Sequence, residues 1–206
     1  MNFTETKFET SAAKLSACPS SSIAEVAFAG RSNAGKSSAI NAITQQARLA
    51  RTSKTPGRTQ LINFFSLNQG RYLVDLPGYG YAKVPLAVKD KWQIELEKYL
   101  RGREPLKGLI LLSDVRHPLK EFDRMMIDWS IQSELPIHVM LTKADKLKRG
   151  PAQSTLLAVQ KEFKEHSGVT AQLFSSVNES GMKEARNKLS EWLAVEDSQL
   201  PPAIQE

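Results

Sequence analysis

The chain is poor in the residues that build disulfides, zinc sites and membrane spans. It has 206 residues but a single cysteine, Cys18, so it cannot form an internal disulfide, and a lone thiol fits a reducing cytoplasm. One cysteine and three histidines disfavour a structural zinc site. Even the longest purely apolar runs, such as Leu109 to Leu112, are far too short to span a bilayer. Neither a secretory signal pattern nor a lipidation motif is visible. We therefore expect a cytoplasmic protein without a membrane partner.

The overall composition is that of an ordinary globular chain. Apolar residues make up 41% and charged residues 24%, and the length suits one domain with a substantial core. No internal repeat is present, so we expect a single copy of the domain. We also expect a monomer. The formal net charge of +6 favours a polyanionic partner, although charge says nothing about the fold.

A glycine-rich segment near the N-terminus has the pattern G-x-x-x-x-G-K-S. It comprises Gly30, Arg31, Ser32, Asn33, Ala34, Gly35, Lys36 and Ser37, with Ser38 following. A buried strand, Val26 to Ala29, is predicted before it and a helix after it, which is the context that supports a phosphate-binding loop. The two glycines allow successive N–H groups to face one anion, and the helix dipole points to the same place. The lysine can reach the β- and γ-phosphates and Ser37 can bind Mg²⁺.

The pattern of apolar residues predicts an α/β domain. Strands are predicted at 26–29, 61–67, 71–75, 108–112, 137–141 and 169–174. Helices are predicted at 38–43 and 87–101, along a face formed by Phe122, Met125, Met126 and Trp129, up to about His166, and along Met182, Ala185, Leu189 and Trp192. The result is a three-layer α/β domain, with a mostly parallel six-stranded sheet, one antiparallel strand and helices on both faces; the family resemblance given below implies that this is a P-loop GTPase domain.

The domain is predicted to span residues 23–194. Residues 1–22 are expected to form an irregular lead-in, with an edge strand considered around Phe3 to Phe8, and residues 195–206 a flexible tail. Two strands of the domain, 61–67 and 71–75, are close enough to form a hairpin. Ligands of such sheets bind at the carboxyl ends of the strands, and the motifs described here follow predicted strands.

The segment Asp75-Leu76-Pro77-Gly78 ends a predicted strand and reads D-x-x-G. Asp75 can hold Mg²⁺ through water, and the N–H of Gly78 can sense a γ-phosphate. Many small GTPases have a glutamine directly after this motif to orient the attacking water. Tyr79 stands there and cannot do the same, so we expect very slow intrinsic hydrolysis.

A base-recognition segment, Thr142-Lys143-Ala144-Asp145, follows another predicted strand. The Asp145 carboxylate can accept hydrogen bonds from guanine N1–H and its 2-amino group, a pair of donors that adenine lacks. The stem of Lys143 can lie over the base. After the last strand, a backbone N–H within Ser175-Ser176-Val177 is placed to meet guanine O6.

Residues 45–60 lack apolar periodicity and are predicted to form a long loop. Thr52, Thr55 and Thr59 compete to complete the Mg²⁺ shell, and Thr59 is favoured because it precedes a strand. The segment has no acidic residue and four basic ones, Arg48, Arg51, Lys54 and Arg58. It is either a solvated loop or a contact for RNA phosphates.

These motifs together resemble the EngB (YihA) ribosome-biogenesis GTPases of the TrmE–Era–EngA–YihA group. The shared stretches are G-R-S-N-A-G-K-S-S, T-P-G-R-T-Q, D-L-P-G-Y-G-Y, T-K-A-D and the D-x-R-H-P-L of Asp114 to Leu119. The resemblance runs from about Glu25 to Trp192 and accounts for Thr142, where GTPases usually have asparagine. His117 of the last stretch is interpreted as shaping its loop rather than as a catalyst.

The resemblance implies binding of GTP or GDP with Mg²⁺, slow hydrolysis and a role in assembly of the large ribosomal subunit, with that subunit or its precursor and its rRNA as partners. By position it assigns Ser37 and Thr59 to the metal and Lys36, Thr59 and Gly78 to catalysis. It adds to the nucleotide site the residues Gly57, Arg58, Thr59, Gln60 and Leu61. Related potassium-stimulated GTPases have an asparagine at the position of Asn33, which suggests K⁺ as a further cofactor.

Two other functions fit the same motifs. One is a GTP-dependent adaptor in cell division or septation whose hydrolysis is incidental. The other is a P-loop ATPase or kinase, against which Asp145 argues.

Overall fold

The computed structural model describes residues 1–50, 61–79 and 86–194, with the backbone alone for residues 86–93. The described residues form one mixed sheet of strands β1 (Lys7–Ala12), β2 (Ala24–Gly30), β3 (Ile62–Ser66), β4 (Arg71–Asp75), β5 (Leu106–Asp114), β6 (Ile137–Thr142) and β7 (Val169–Leu173). The helices are α1 (Lys36–Thr44), α2 (Leu86–Gly102), α3 (Glu121–Gln132), α4 (Arg149–Glu162) and α5 (Met182–Trp192).

The strand order is β1-β3-β4-β2-β5-β6-β7. β2, β4, β5, β6 and β7 pair in parallel, and β3 pairs antiparallel with β4 and with β1. β3 is therefore the one strand of this sheet that runs against the others, which confirms the predicted fold class. The sheet has seven strands rather than six, because the predicted lead-in supplies β1 as an edge strand. That strand lies at Lys7–Ala12 rather than around Phe3 to Phe8.

The core has two parts, one on each face of the sheet. Every residue of β2 is buried, and alternate side chains serve opposite faces: Val26 and Phe28 pack with α1 and α5, whereas Ala27 and Ala29 face α2, α3 and α4. A strand buried on both faces explains why this segment is apolar at nearly every position instead of alternating. Helices therefore cover both faces, as predicted.

The prediction that Met125 lies on the buried face of helix α3 is wrong. The sequence pattern places Met125 inward with Phe122, Met126 and Trp129, but Met125 is 55% exposed. The buried residues are Asp123, Met126, Ile127 and Ser130, which have the spacing of one helical face. Two of these four side chains are polar, so a pattern based on apolar residues alone includes Met125 and misses Asp123 and Ser130.

The remaining predicted elements agree with the structure within a few residues. Helix α4 ends at Glu162 rather than near His166, and Gln160 is exposed instead of inward. Trp92, expected in the core, lies in the part of α2 for which only the backbone is described. The predicted tail, 195–206, lies outside the described residues.

Candidate functional site

The carboxyl ends of the parallel strands bring the predicted motifs to one edge of the sheet. Phe28 of β2 is paired with Asp75 of β4, and Asp114 of β5 with Thr142 of β6. The segments after β2, β4, β6 and β7 therefore leave the sheet side by side, and the segment after β5 lies among them. Motifs that are far apart in the chain form a single cleft because of this register.

The phosphate loop connects β2 to α1 and depends on its two glycines. A Cβ at Gly30 would lie 2.8 Å from the backbone oxygen of Leu112, so only glycine allows β5 to approach this closely. Gly35 has φ +98°, a conformation that glycine adopts without strain, and it directly precedes α1. Asn33 also has a positive φ of 64°. These two positive φ angles turn the backbone sharply just before α1 begins.

The loop is held from behind by residues of the base-recognition segment. The Thr142 hydroxyl donates to the backbone oxygen of Ala34 at 2.6 Å, and the Lys143 Nζ donates to that of Asn33 at 2.8 Å. Thr142 is buried, with 3% of its surface exposed. The hydroxyl at this position therefore holds the phosphate loop in place and links it to the base-recognition segment.

Lys36, the first residue of α1, forms an ion pair with Asp75 at the end of β4. Both side chains are 11% exposed, so the pair lies inside the cleft rather than at the surface. Ser37 follows in the same helical turn. A cation for phosphate, a hydroxyl and a carboxylate suited to a hydrated Mg²⁺ therefore lie within one small region.

The segment after β4 lies directly against the phosphate loop. The backbone N–H of Leu76 donates to the backbone oxygen of Phe28 at 3.0 Å, and the backbone N–H of Ser32 donates to the backbone oxygen of Tyr79 at 2.8 Å. A Cβ at Gly78 would lie 3.5 Å from the backbone nitrogen of Ser32, which is ordinary contact distance. Leu76, Pro77 and Gly78 thus lie beside the loop, where a γ-phosphate would meet them.

The residues predicted to recognise guanine meet at the ends of β6 and β7. The Ser175 hydroxyl donates to Asp145 Oδ1 at 2.6 Å, and Lys146 Nζ lies 3.0 Å from Oδ2. The hydroxyl first, and the ammonium second, hold the pKa of Asp145 below its ordinary value, so the carboxylate stays charged at neutral pH. The N–H of Ala144 donates to Phe174 at 3.1 Å and fixes this segment to the end of β7.

The loop after β7 is held by hydrogen bonds within itself. The N–H of Val177 donates to the Ser175 Oγ at 3.1 Å, so that donor is engaged within the loop. Ser176 and Val177 are both exposed. Ser175 thereby has a role that the sequence did not suggest, which is to orient the Asp145 carboxylate.

Asp114 is a residue of the site for which the sequence predicts no role, although it begins the D-x-R-H-P-L stretch. Its carboxylate accepts from Arg116 Nε at 2.9 Å and from Arg116 Nη2 at 2.7 Å, and it lies 3.0 Å from Lys143 Nζ. Arg116 and Lys143 hold the pKa of Asp114 well below its usual range. Lys143 is therefore anchored at both Asn33 and Asp114, in a fixed place for stacking on a base. The signal in the sequence was an acid at the end of a buried strand.

Several predicted residues are placed less fully. Gly57, Arg58, Thr59 and Gln60, together with Thr52 and Thr55, lie outside the described residues, whereas Leu61 is exposed just before β3. His117 is exposed, and its backbone N–H donates to the backbone oxygen of Asp114 at 2.9 Å. This hydrogen bond within the loop supports the interpretation of His117 as a loop-shaping residue.

Two classes of site are absent from the described part of the chain. Residues 1–50, 61–79 and 86–194 contain no cluster of three or more histidine, cysteine, aspartate or glutamate side chains that could hold a metal ion. Among the same residues, no helix combines the length and apolar character needed to cross a membrane.

Comparisons with known proteins agree with this geometry. Residues 25–143 match the family described as "50S ribosome-binding GTPase". Among solved structures, the chain is similar to a probable GTP-binding protein engB, with a TM-score of 0.66 and 21% identity over 82% of this chain and 98% of that one. It is also similar to the G domain of the T. maritima FeoB iron transporter, with a TM-score of 0.54 and 24% identity over 83% and 99% of the two chains.

A third similar structure is a bacterial selenocysteine-specific elongation factor, with a TM-score of 0.56 and 20% identity over 84% of this chain and 29% of that one. At these identities the structural matches establish the fold alone. The family match covers more than half of the chain and contains the phosphate loop, Asp75 to Gly78 and the start of the base segment. The chain therefore belongs to the 50S ribosome-binding GTPase family and contains its GTP-binding domain.

Proposed function

We propose that this protein is a slow GTPase whose nucleotide state controls its binding to the large ribosomal subunit, or to its precursor, during assembly. The observation that carries the proposal is the match to a family of 50S ribosome-binding GTPases over the segment that builds the nucleotide cleft. In this proposal Lys36 and the loop amides hold the phosphates, Gly78 senses the γ-phosphate and Asp145 selects guanine.

A magnesium ion fits the residues at the start of α1. Ser37 and Thr59 would bind the metal directly, and Asp75 would hold it through water; Thr59 carries this role by resemblance. When bound, Mg²⁺ would neutralise charge that develops on the phosphates during transfer. The chain contributes a neutral hydroxyl and a carboxylate, which are hard oxygen ligands of the kind that Mg²⁺ prefers.

Slow hydrolysis follows from the orientation of Tyr79. Its side chain is 3% exposed and turns into the core, where its hydroxyl donates to Asp123. The residue that follows the D-x-x-G motif therefore cannot orient water for attack. We expect an intrinsic turnover of about 10⁻³ s⁻¹ or slower, in the range of unassisted small GTPases.

Potassium is proposed as an activator of this slow reaction. Turnover should be higher in K⁺ than in Na⁺ at equal ionic strength, because an ion held by Asn33 could offset developing charge. Asn33 has φ +64°, so Asn33→Gly removes the amide without backbone strain and should abolish the difference. Equal turnover of the parent in the two salts would remove K⁺ from the proposal.

Exposed cations near the cleft support an RNA partner. Lys146 and Lys148 lie in the connection from β6 to α4, and Arg149 begins α4. Arg116 and Lys120 lie in the connection from β5 to α3. All are exposed and leave the edge of the sheet where the nucleotide site lies. Arg48 of the basic 45–60 segment is exposed too, whereas Arg51, Lys54 and Arg58 lie outside the described residues. Such residues bind phosphates without reading sequence.

The proposal is tested by co-sedimentation with purified large ribosomal subunits. Binding should be stronger with a non-hydrolysable GTP analogue than with GDP, and it should weaken steeply with salt. Replacing Lys120, Lys148 and Arg149 together with alanine should lower subunit affinity about tenfold or more, because each lost phosphate contact reduces the electrostatic contribution. Replacing Arg48, Arg51 and Lys54 together tests the loop in the same way.

A charge-matched control separates a specific surface from overall charge. Lys107, Lys161 and Lys164 are exposed near the amino ends of the strands, away from the nucleotide site. Their triple alanine variant should therefore keep the parent's affinity. Equal losses in all three triple variants would mean that only net charge matters. Failure of the parent to co-sediment in either nucleotide state would favour the adaptor in cell division instead.

A further inference from the structure

Three polar side chains are buried between the phosphate loop and α3. Tyr79, Ser113 and Asp123 are 3%, 2% and 1% exposed. The Tyr79 hydroxyl donates to Asp123 Oδ1, and the Ser113 hydroxyl donates to Oδ2 at 3.0 Å. The three residues come from the segment after β4, from β5 and from α3, so they connect three parts of the chain.

Backbone donors complete the set of hydrogen bonds. The N–H of Lys120 donates to Asp123 Oδ2 at 3.1 Å, and the N–H of Leu119 donates to the Ser113 Oγ at 2.9 Å. Asp123 has no salt bridge with any of the described residues, so its carboxyl depends on these neutral donors. Because a buried carboxyl is costly without partners, losing one donor should loosen the whole group.

Tyr79 is fixed at both its backbone and its ring. Its backbone oxygen accepts from Ser32 at 2.8 Å, and its N–H donates to Gly30 at 3.4 Å. Its ring lies against Phe122 of α3, with 4.1 Å between the ring centroids. Burial, followed by the Asp123 carboxyl, raises the pKa of Tyr79, so the hydroxyl stays protonated and able to donate.

Gly78 lies between these fixed points. It directly precedes Tyr79, and a Cβ placed on it would contact the Ser32 backbone at 3.5 Å. The direction of its N–H therefore depends on where Tyr79 is held. Helix α3, through Asp123, sets that position from outside the nucleotide cleft.

We propose that Asp123 is a positioning residue for recognition of the γ-phosphate, acting through Tyr79 to hold Gly78 against the phosphate loop. This inference rests on the proposed role of Gly78. GDP has no γ-phosphate, so loosening Gly78 lowers affinity for GTP and leaves affinity for GDP unchanged. The same coupling runs in reverse: a γ-phosphate that draws on Gly78 stabilises the start of α3.

The test compares Tyr79→Phe and Asp123→Asn with a matched control. Tyr99 is also buried, and its hydroxyl donates to the buried Glu25 at 2.7 Å, at the opposite end of β2. Tyr99→Phe therefore removes the same atom from a similar environment that does not touch the phosphate loop. The measurements are the dissociation constants of a non-hydrolysable GTP analogue and of GDP, with thermal unfolding of each variant.

The ratio of analogue affinity to GDP affinity should fall about three- to tenfold in Tyr79→Phe and in Asp123→Asn, the range expected for one lost hydrogen bond. It should stay at the parent value in Tyr99→Phe. The double variant Tyr79→Phe/Asp123→Asn should lose no more than the larger single effect, because the two residues act as one unit. Tyr79→Phe keeps the ring contact with Phe122, so it gives an answer even if Asp123→Asn folds poorly.

Two other outcomes are distinct. An unchanged ratio in Tyr79→Phe, with a loss of thermal stability like that of Tyr99→Phe, would make the buried group purely structural and overturn the inference. Gly78→Pro removes the N–H itself and should lower the ratio at least as far. A Gly78→Pro variant with the parent's ratio would overturn the proposed role of Gly78, and the role of Asp123 with it.

Discussion

Asp145→Asn should weaken GTP binding at least thirtyfold, which corresponds to about 2 kcal/mol for a mispaired polar contact. The carboxylate offers two acceptors to guanine N1–H and the 2-amino group, and the amide turns one of them into a donor. The Ser175 hydroxyl at 2.6 Å and Lys146 at 3.0 Å hold the carboxylate in place, so it cannot rotate freely to avoid the clash. Equilibrium titration of a fluorescent guanine nucleotide measures the effect.

The same substitution should raise affinity for xanthine nucleotides. Xanthine has an oxygen where guanine has the 2-amino group, so the new amide donor meets an acceptor. Asp128→Asn removes the same charge from an exposed site on α3 and should bind GTP as the parent does. Unchanged GTP affinity in Asp145→Asn would refute the guanine assignment, and ATP binding as tight as GTP binding in the parent would revive the ATPase or kinase alternative.

The parts of the fold that depend on apolar burial could be predicted from the sequence. β2 is apolar at nearly every position because both of its faces are covered, and the hairpin of β3 and β4 follows from their short connection. β1 was harder, because its mostly exposed edge position leaves an apolar pattern too weak to fix its limits. Its edge position depends on pairing with β3, which is distant in the chain.

The buried face of α3 shows where pattern reasoning fails. Asp123 and Ser130 take inward positions, and Met125 faces outward. The acid is inward because Tyr79 and Ser113 supply its donors from elsewhere in the chain, and no local pattern encodes those partners. The hydrogen bonds that keep Asp123 inward on α3 are therefore the same ones that carry the proposed positioning of Gly78.

The nucleotide site was predictable at the level of motifs but not of contacts. Spacing alone identifies the phosphate loop, D-x-x-G and T-K-A-D. It does not show that Thr142 and Lys143 brace the loop from behind, or that Asp114 holds Lys143. Those contacts arise because parallel strands end in register, which is a property of the whole sheet.

Lys36→Ala should lower affinity for GTP and GDP alike, by up to about a hundredfold, since a charge-assisted hydrogen bond contributes up to about 3 kcal/mol. The loss should be common to both nucleotides because the β-phosphate is common to both. Lys98→Ala removes a lysine from an exposed pair with Glu95 on α2 and should change neither affinity. A loss confined to GTP would place Lys36 at the γ-phosphate only.

The ion pair between Lys36 and Asp75 predicts the opposite change in affinity when Asp75 is replaced. Lys36 is bound to Asp75 within the cleft, so a phosphate must compete with that carboxylate for the ammonium group. Asp75→Asn removes the competitor, and GDP affinity in the absence of divalent metal should therefore rise, by up to about tenfold. With Mg²⁺ present the same variant should bind GTP more weakly than the parent, because the carboxylate that would hold the hydrated ion is gone. Titrations with EDTA and with Mg²⁺ separate the two effects. A variant weakened equally under both conditions would show that Asp75 supports the phosphate loop only as a structural partner of Lys36, and that it neither competes with phosphate nor holds the metal.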